Sequence, residues 1–161
     1  MLVAFDFDGT LSSDEMTTFL AEKCGVVERM DAITERAMNG EIEYAQSLRE
    51  RCALLEGLPD DEAAAAFQHV HLRPGAAEVI EALNEAGVTT AILTGGFERG
   101  VAAALDRAGV TVDHVVANRL PVGSPAGEST ATGDGDPVLT GEVEGPLIEG
   151  TKDDALADLA A

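Results

Sequence analysis

From Leu2 to Phe7 the chain is almost continuously apolar, broken only by Asp6. So short and unbroken a run predicts a strand covered on both faces of a parallel sheet. A second strand is expected at Val88 to Leu93, after a helical stretch, Glu78 to Ala86, that Gly87 closes. Phe97 to Ala108 reads as the next helix, closed by Gly109, and the apolar segment Val115 to Ala117 as a third strand. Strands alternating with helices predict an α/β fold in which right-handed crossovers build a parallel sheet.

Between the first two strands the period changes. From Met16 to Val70 the apolar residues recur at helical spacing, and Gly25, Gly40 and Leu58-Pro59 divide the stretch into about four short helices. A strand-free insertion placed directly after the first strand is expected to sit as a helical cap over a site. Residues Pro121 to Pro137 are rich in Gly, Ser, Thr, Pro and Asp, and Leu139 to Val143 reads as a short strand, so this part predicts a hairpin with an extended acidic loop. Asp153 to Ala161 reads as helix, and no internal repeat is visible.

Charge narrows the function. Thirty acidic residues face ten basic ones in 161, giving a formal net charge of −20, and the only lysines are Lys23 and Lys152. Nucleic-acid binding needs a basic footprint, which this balance excludes. Self-repulsion of this size is relieved by salt, so the expected setting is a salt-rich cytoplasm such as that of a halophile. No apolar run is long enough to span a membrane. Cys24 and Cys52 have neither CxxC spacing nor a histidine cluster, so they read as reduced thiols. The scattered His69, His71 and His114 are assigned to structure.

Chemistry gathers where strands end. Asp6-Phe7-Asp8-Gly9-Thr10-Leu11 follows directly from the first strand, at the sheet edge where open α/β folds bind ligands. Two carboxylates two residues apart can supply a nucleophile and an acid/base while both lie near one metal ion. A calcium loop would need more oxygen ligands and flanking helices. At the end of the second strand, Leu93-Thr94-Gly95-Gly96-Phe97 offers a hydroxyl and a glycine-rich turn expected to open the next helix, a setting that favours a phosphate.

Those two stretches resemble the first and second motifs of the phosphatases of the haloacid dehalogenase superfamily. Further stretches are similar to the phosphoserine phosphatases within it: Asp14-Glu15, Ala37 to Gly40, Gln46 to Arg51, Ala117 to Leu120 and Leu139 to Gly145. The resemblance covers nearly the whole chain. It implies a Rossmann-like core made of residues 1–14 and 72–161, with a parallel sheet incomplete at its C-terminal side, and a small helical cap at 15–71. It also implies hydrolysis of O-phosphoserine with Mg2+, held by Asp6 and Asp8. Asp6 would form an aspartyl-phosphate and Asp8 would move the proton. Lys152 matches the third motif, in which a cation offsets phosphoryl charge, and Thr94, Gly95 and Gly96 belong to the phosphate site. Arg51 matches the position that binds the substrate carboxylate and Glu15 the one that meets its amine. Met38 and Tyr44 would wall the pocket, Tyr44 standing where relatives often have Phe. A phosphotransferase, a phosphatase of another small phosphomonoester and a non-catalytic phosphate-binding fragment are the alternatives.

The pattern departs from the superfamily in one respect. A fourth motif, an acidic loop following another strand, is expected after Lys152, and no such strand follows. Gly133-Asp134-Gly135-Asp136 imitates it but precedes Lys152 and falls in the hairpin loop. A chain ending here is expected to be truncated, with weakened metal binding and a bare sheet edge along Leu2 to Phe7 that invites self-association.

Overall fold

The computed structural model describes residues 1–124 and 136–161, so Gly133 to Gly135 and most of the acidic loop lie outside it. Strands β1 (Leu2–Phe5), β2 (Thr89–Phe97) and β3 (His114–Asn118) form a parallel sheet in the order β1-β2-β3. The register pairs Phe5 with Ile92 and Leu93 with Val116, which brings all three carboxyl ends to one edge. Thr90, Ala91, Ile92 and Leu93 are buried, as the central strand of a sheet covered on both faces requires. The crossover between β2 and β3 is α6 (Glu98–Ala108), while α5 (Ala76–Glu85) leads into β2.

Four helices fill the interval between β1 and α5: α1 (Met16–Cys24), α2 (Val27–Met38), α3 (Tyr44–Ala53) and α4 (Asp60–Phe67). Helix α1 packs on α4, and α2 on α3. They share one core with the sheet, because Met16, Leu20, Leu48 and Phe67 belong to the same buried cluster as Ile80, Ile92 and Phe97. Phe67 meets Phe97 edge-on, with ring centroids 6.4 Å apart. Where the chain leaves the sheet and returns, the two passages are tied together. The Arg73 amide donates to Leu11 O at 2.7 Å, Ser12 and Leu72 form a bridge, and the Arg73 guanidinium donates to Gly9 O at 3.0 Å. Arg99 closes the opposite side, paired with Asp60 at 2.7 Å and lying 5.2 Å above the Phe67 ring.

Two sequence expectations change at the element level. The glycine stretch after Leu93 is not a turn: β2 runs on to Phe97, with a register shift between Leu93 and Phe97, and α6 follows at once. The Asn118 side chain donates to Gly95 O at 3.1 Å and Phe97 pairs with Asn118, which keeps this backbone extended. The late strand is also shorter than expected. Only Val138–Leu139 (β5) pairs, antiparallel to Val122–Gly123 (β4). At Gly141 the backbone takes φ 86° and turns away, and Glu144 pairs with Arg119 instead. Leu139 exchanges hydrogen bonds with Gly57 and Leu58, which joins this hairpin to the segment between α3 and α4. The last helix, α7, spans Lys152–Ala160.

Candidate active site

Immediately after β1 the chain turns at Asp6. The Thr10 and Ser12 amides both donate to Phe7 O at 3.0 Å, folding the loop so that Asp6 and Asp8 stay at the sheet edge. Asp6 Oδ2 accepts from the Thr10 hydroxyl at 3.1 Å, and Asp6 Oδ1 from Lys152 Nζ at 2.5 Å. Partial burial alone would raise the Asp6 carboxyl; the Lys152 ammonium, helped by the Phe7 amide and the Thr10 hydroxyl, outweighs it and holds Asp6 below its ordinary value. Asp8 lies deeper. Burial, with Glu15 and Asp6 nearby, pushes its pKa up to about 6 against the opposing Met16 amide bond and Lys152. Two neighbouring carboxylates thus differ in kind: one stays ionised, and the other exchanges its proton near neutrality.

Lys152 reaches this loop from the first residue of α7, which begins there because Thr151 caps it. The Asp154 amide donates to Thr151 Oγ1 at 3.1 Å. At the end of β2, Thr94 Oγ1 accepts from the Gly96 amide at 3.0 Å. Side-chain ends approach both glycines closely. A Cβ on Gly96 would lie 2.8 Å from Asp8 Oδ2 and 2.9 Å from Met16 Cε, and one on Gly95 would overlap the Tyr44 hydroxyl.

The remaining residues come from the helices above. A cavity of about 480 Å³ is lined by Asp6, Asp8, Thr94, Gly95, Gly96 and Lys152 below and by Glu15, Met38, Tyr44 and Arg51 above, so every residue singled out from the sequence borders one space. Helix α3 contributes Tyr44, Ser47, Leu48 and Arg51, one face at helical spacing. Arg51 folds back along it, Nε donating to Ser47 O at 3.3 Å.

The haloacid dehalogenase-like hydrolase family model matches residues 3–161. The chain belongs to that family. It is 54% identical to the phosphoserine phosphatase of Halobacterium salinarum over 157 residues, 98% of this chain and 69% of that protein. To the phosphoserine phosphatase of Methanocaldococcus jannaschii it is 35% identical over 160 residues, 99% of this chain and 69% of the other. Among solved structures it is similar to a phosphoserine phosphatase with a phospho-aspartyl intermediate analogue (TM-score 0.80, 36% identity) and to a substrate-bound phosphoserine phosphatase complex (TM-score 0.81, 35% identity), covering 99% of this chain and 70% of each.

Within this family frame, five further residues border the cavity without having been singled out for a role: Thr17, Thr34, Ala37, Ser47 and Leu48. For Thr34, Ser47 and Leu48 the helical spacing from Met38, Tyr44 and Arg51 was the available signal; Ala37 adjoins Met38, and Thr17, on α1, had none. Met38 is 83% and Tyr44 50% exposed, which removes core packing as the reason for either. The histidines stand apart from the cavity: His71 Nδ1 contacts His69 O, His69 packs against Phe19, and His114 begins β3. Burial raises the Cys52 thiol to about 12 and also raises Cys24, so neither is a nucleophile at neutral pH.

Among the described residues no cluster of three or more His, Cys, Asp or Glu forms a metal cage. At the loop after β1 the cavity presents the hard carboxylate oxygens of Asp6 and Asp8. These suit Mg2+, which is held by one or two carboxylates with water and phosphate oxygens completing its shell.

Proposed function

We propose that this chain hydrolyses O-phosphoserine to serine and phosphate through an aspartyl-phosphate on Asp6. The carrying observation is that one cavity joins the Asp6–Lys152 pair to Glu15 and Arg51, a phosphoryl site continuous with partners for an amine and a carboxylate. The similarity to a substrate-bound phosphoserine phosphatase supports the substrate. In this reading residues 15–71 act as a cap over a core of 1–14 and 72–161, and the chain works in a salt-rich cytoplasm, as its charge and its kinship to the Halobacterium salinarum protein suggest. Among the described residues no helix is long and apolar enough to cross a membrane.

The first step asks for an ionised oxygen and an available proton. Asp6 attacks phosphorus as the serine oxygen leaves, and Asp8, with its pKa near 6, delivers a proton to that oxygen. Asp8 then accepts a proton from water as the water oxygen attacks the aspartyl-phosphate, releasing phosphate and restoring Asp6. Lys152 and the Thr94–Gly95 end of β2 offset charge on the phosphoryl oxygens, while Arg51 holds the carboxylate and Glu15 the ammonium. Mg2+ held at this loop by the Asp6 carboxylate, and by Asp8 while it is ionised, would neutralise phosphoryl charge.

Phosphate release from O-phosphoserine, measured with Mg2+ in 2 M KCl, tests the reading. Asp6→Asn is expected to reduce turnover by about 10³-fold or more, as loss of a covalent nucleophile does. Equal turnover by wild type and Asp6→Asn would refute the mechanism. Comparable turnover of a phosphomonoester without amine and carboxylate would refute the substrate.

A further inference from the structure

Tyr44 does more than wall the cavity. It is the first residue of α3, half-exposed, and its hydroxyl reaches across the cavity to the core, filling the place where a side chain on Gly95 would stand. Gly95 does not have a positive φ, so its backbone would accept alanine. The Tyr44 phenol occupies the space a side chain there would use, since a Cβ would also lie 3.2 Å from Tyr44 Cζ. The hydroxyl therefore lies against the end of β2, beside the residues that would meet a phosphoryl group.

The surroundings make it a donor. Burial raises the phenol pKa, with Asp8 and Glu15 adding to this against Arg51, so the group stays protonated through neutral pH. On the strand side the Gly96 amide is already engaged, donating to Thr94 Oγ1. An anion seated between Asp6 and Gly95 has Lys152 on one side and the end of β2 below, and faces the Tyr44 hydroxyl from the cap. From this juxtaposition of the Tyr44 hydroxyl with Gly95 we propose that Tyr44 donates a hydrogen bond to a phosphoryl oxygen of the substrate. One helix then holds the substrate at both ends, Tyr44 on the phosphoryl group and Arg51, seven residues later on the same face, on the carboxylate. The proposal rests on the phosphoryl reading of this cavity but not on serine as the leaving group.

The test is equilibrium binding of inorganic phosphate and of L-serine, each alone, to wild type and Tyr44→Phe in 2 M KCl with Mg2+, by isothermal titration calorimetry. Neither probe is turned over. Removing only the hydroxyl is expected to weaken phosphate binding about ten- to hundredfold, the range for one hydrogen bond to a charged group. L-serine affinity and the ligand-free melting temperature should stay unchanged. Phosphate binding that is equal or tighter in Tyr44→Phe overturns the proposal, the tighter result marking the hydroxyl as an obstruction. Equal weakening of both probes also overturns it, since that reports a disturbed cap. A wild type that binds phosphate and loses it with the hydroxyl, yet releases none from O-phosphoserine, refutes the substrate and leaves Tyr44 as a phosphate donor. A wild type that binds no phosphate overturns both readings.

Discussion

At Asp8 two effects on a carboxyl group act in the same direction, and this has a consequence for stability as well as for proton transfer. The folded-state pKa, about 6, lies above the ordinary 3.8, so the folded protein binds a proton more tightly than the unfolded chain. The stabilising contribution is complete below the unfolded value and is lost as pH rises through about 6. Above that pH the fold carries a buried carboxylate it disfavours. Asp8→Asn keeps an oxygen for the Met16 amide and removes the charge. Measured with chelator present, Asp8→Asn should melt roughly 4–8 °C above wild type at pH 7.5, with the gap closing toward pH 5. A gap independent of pH would show that Asp8 is not the group responsible. The two aspartates were legible in the sequence because they are two residues apart after one strand, and their proximity needs no tertiary information. Their separate roles came from the family resemblance; what sets their proton affinities apart did not, since it depends on Lys152, 146 residues from Asp6, and on how deeply Asp8 is buried.

Elements were read well wherever punctuation was local. Gly25, Gly40 and Leu58-Pro59 mark the breaks between the four inserted helices, and the apolar runs place all three sheet strands. The glycine stretch failed for a reason of the same kind: Gly95 and Gly96 signal a turn, whereas tertiary bonds from Asn118 keep them in the strand. Consequently the proposed anion site draws less on the first turn of α6 than on the end of β2 with side chains above it. Helix α7 has the reverse logic, as a short element serving a single residue. Thr151 accepts the Asp154 amide and also donates to its carboxylate at 2.9 Å, which fixes where the helix starts and thereby where Lys152 projects. Thr151→Ala should cost about 1 kcal/mol, or 2–4 °C in melting temperature, and lower kcat more than it raises KM, because the loosened group is the one facing the phosphoryl charge. A change in KM alone would assign the cap a role in substrate binding instead.

For the molecule as a whole, the deciding quantity is charge. Five ion pairs join the described residues, Arg36–Glu50, Arg49–Glu149, Arg99–Asp60, Arg119–Glu144 and Lys152–Asp6, and all have at least one partner well exposed. Exposed pairs of this type each contribute about 0–1 kcal/mol and are weakened by salt. Against them stands a net charge of −20 whose repulsion salt also weakens. The two effects of added salt oppose each other, and the imbalance of thirty acids against ten bases decides which dominates. Screening lengths shorten from about 10 Å at 0.1 M to about 3 Å at 1 M, below the spacing of most surface carboxylates, so the repulsive sum falls more than the few pairs lose. The melting temperature should therefore rise by roughly 10 °C or more between 0.1 M and 2 M KCl, and most of the rise should come below 1 M, where screening changes fastest. A neutral osmolyte of equal osmolality should give a smaller gain without that curvature. A melting temperature flat in KCl would mean that the acidic surface is already compensated within the fold, and a rise matched by the osmolyte would assign the effect to burial rather than to charge.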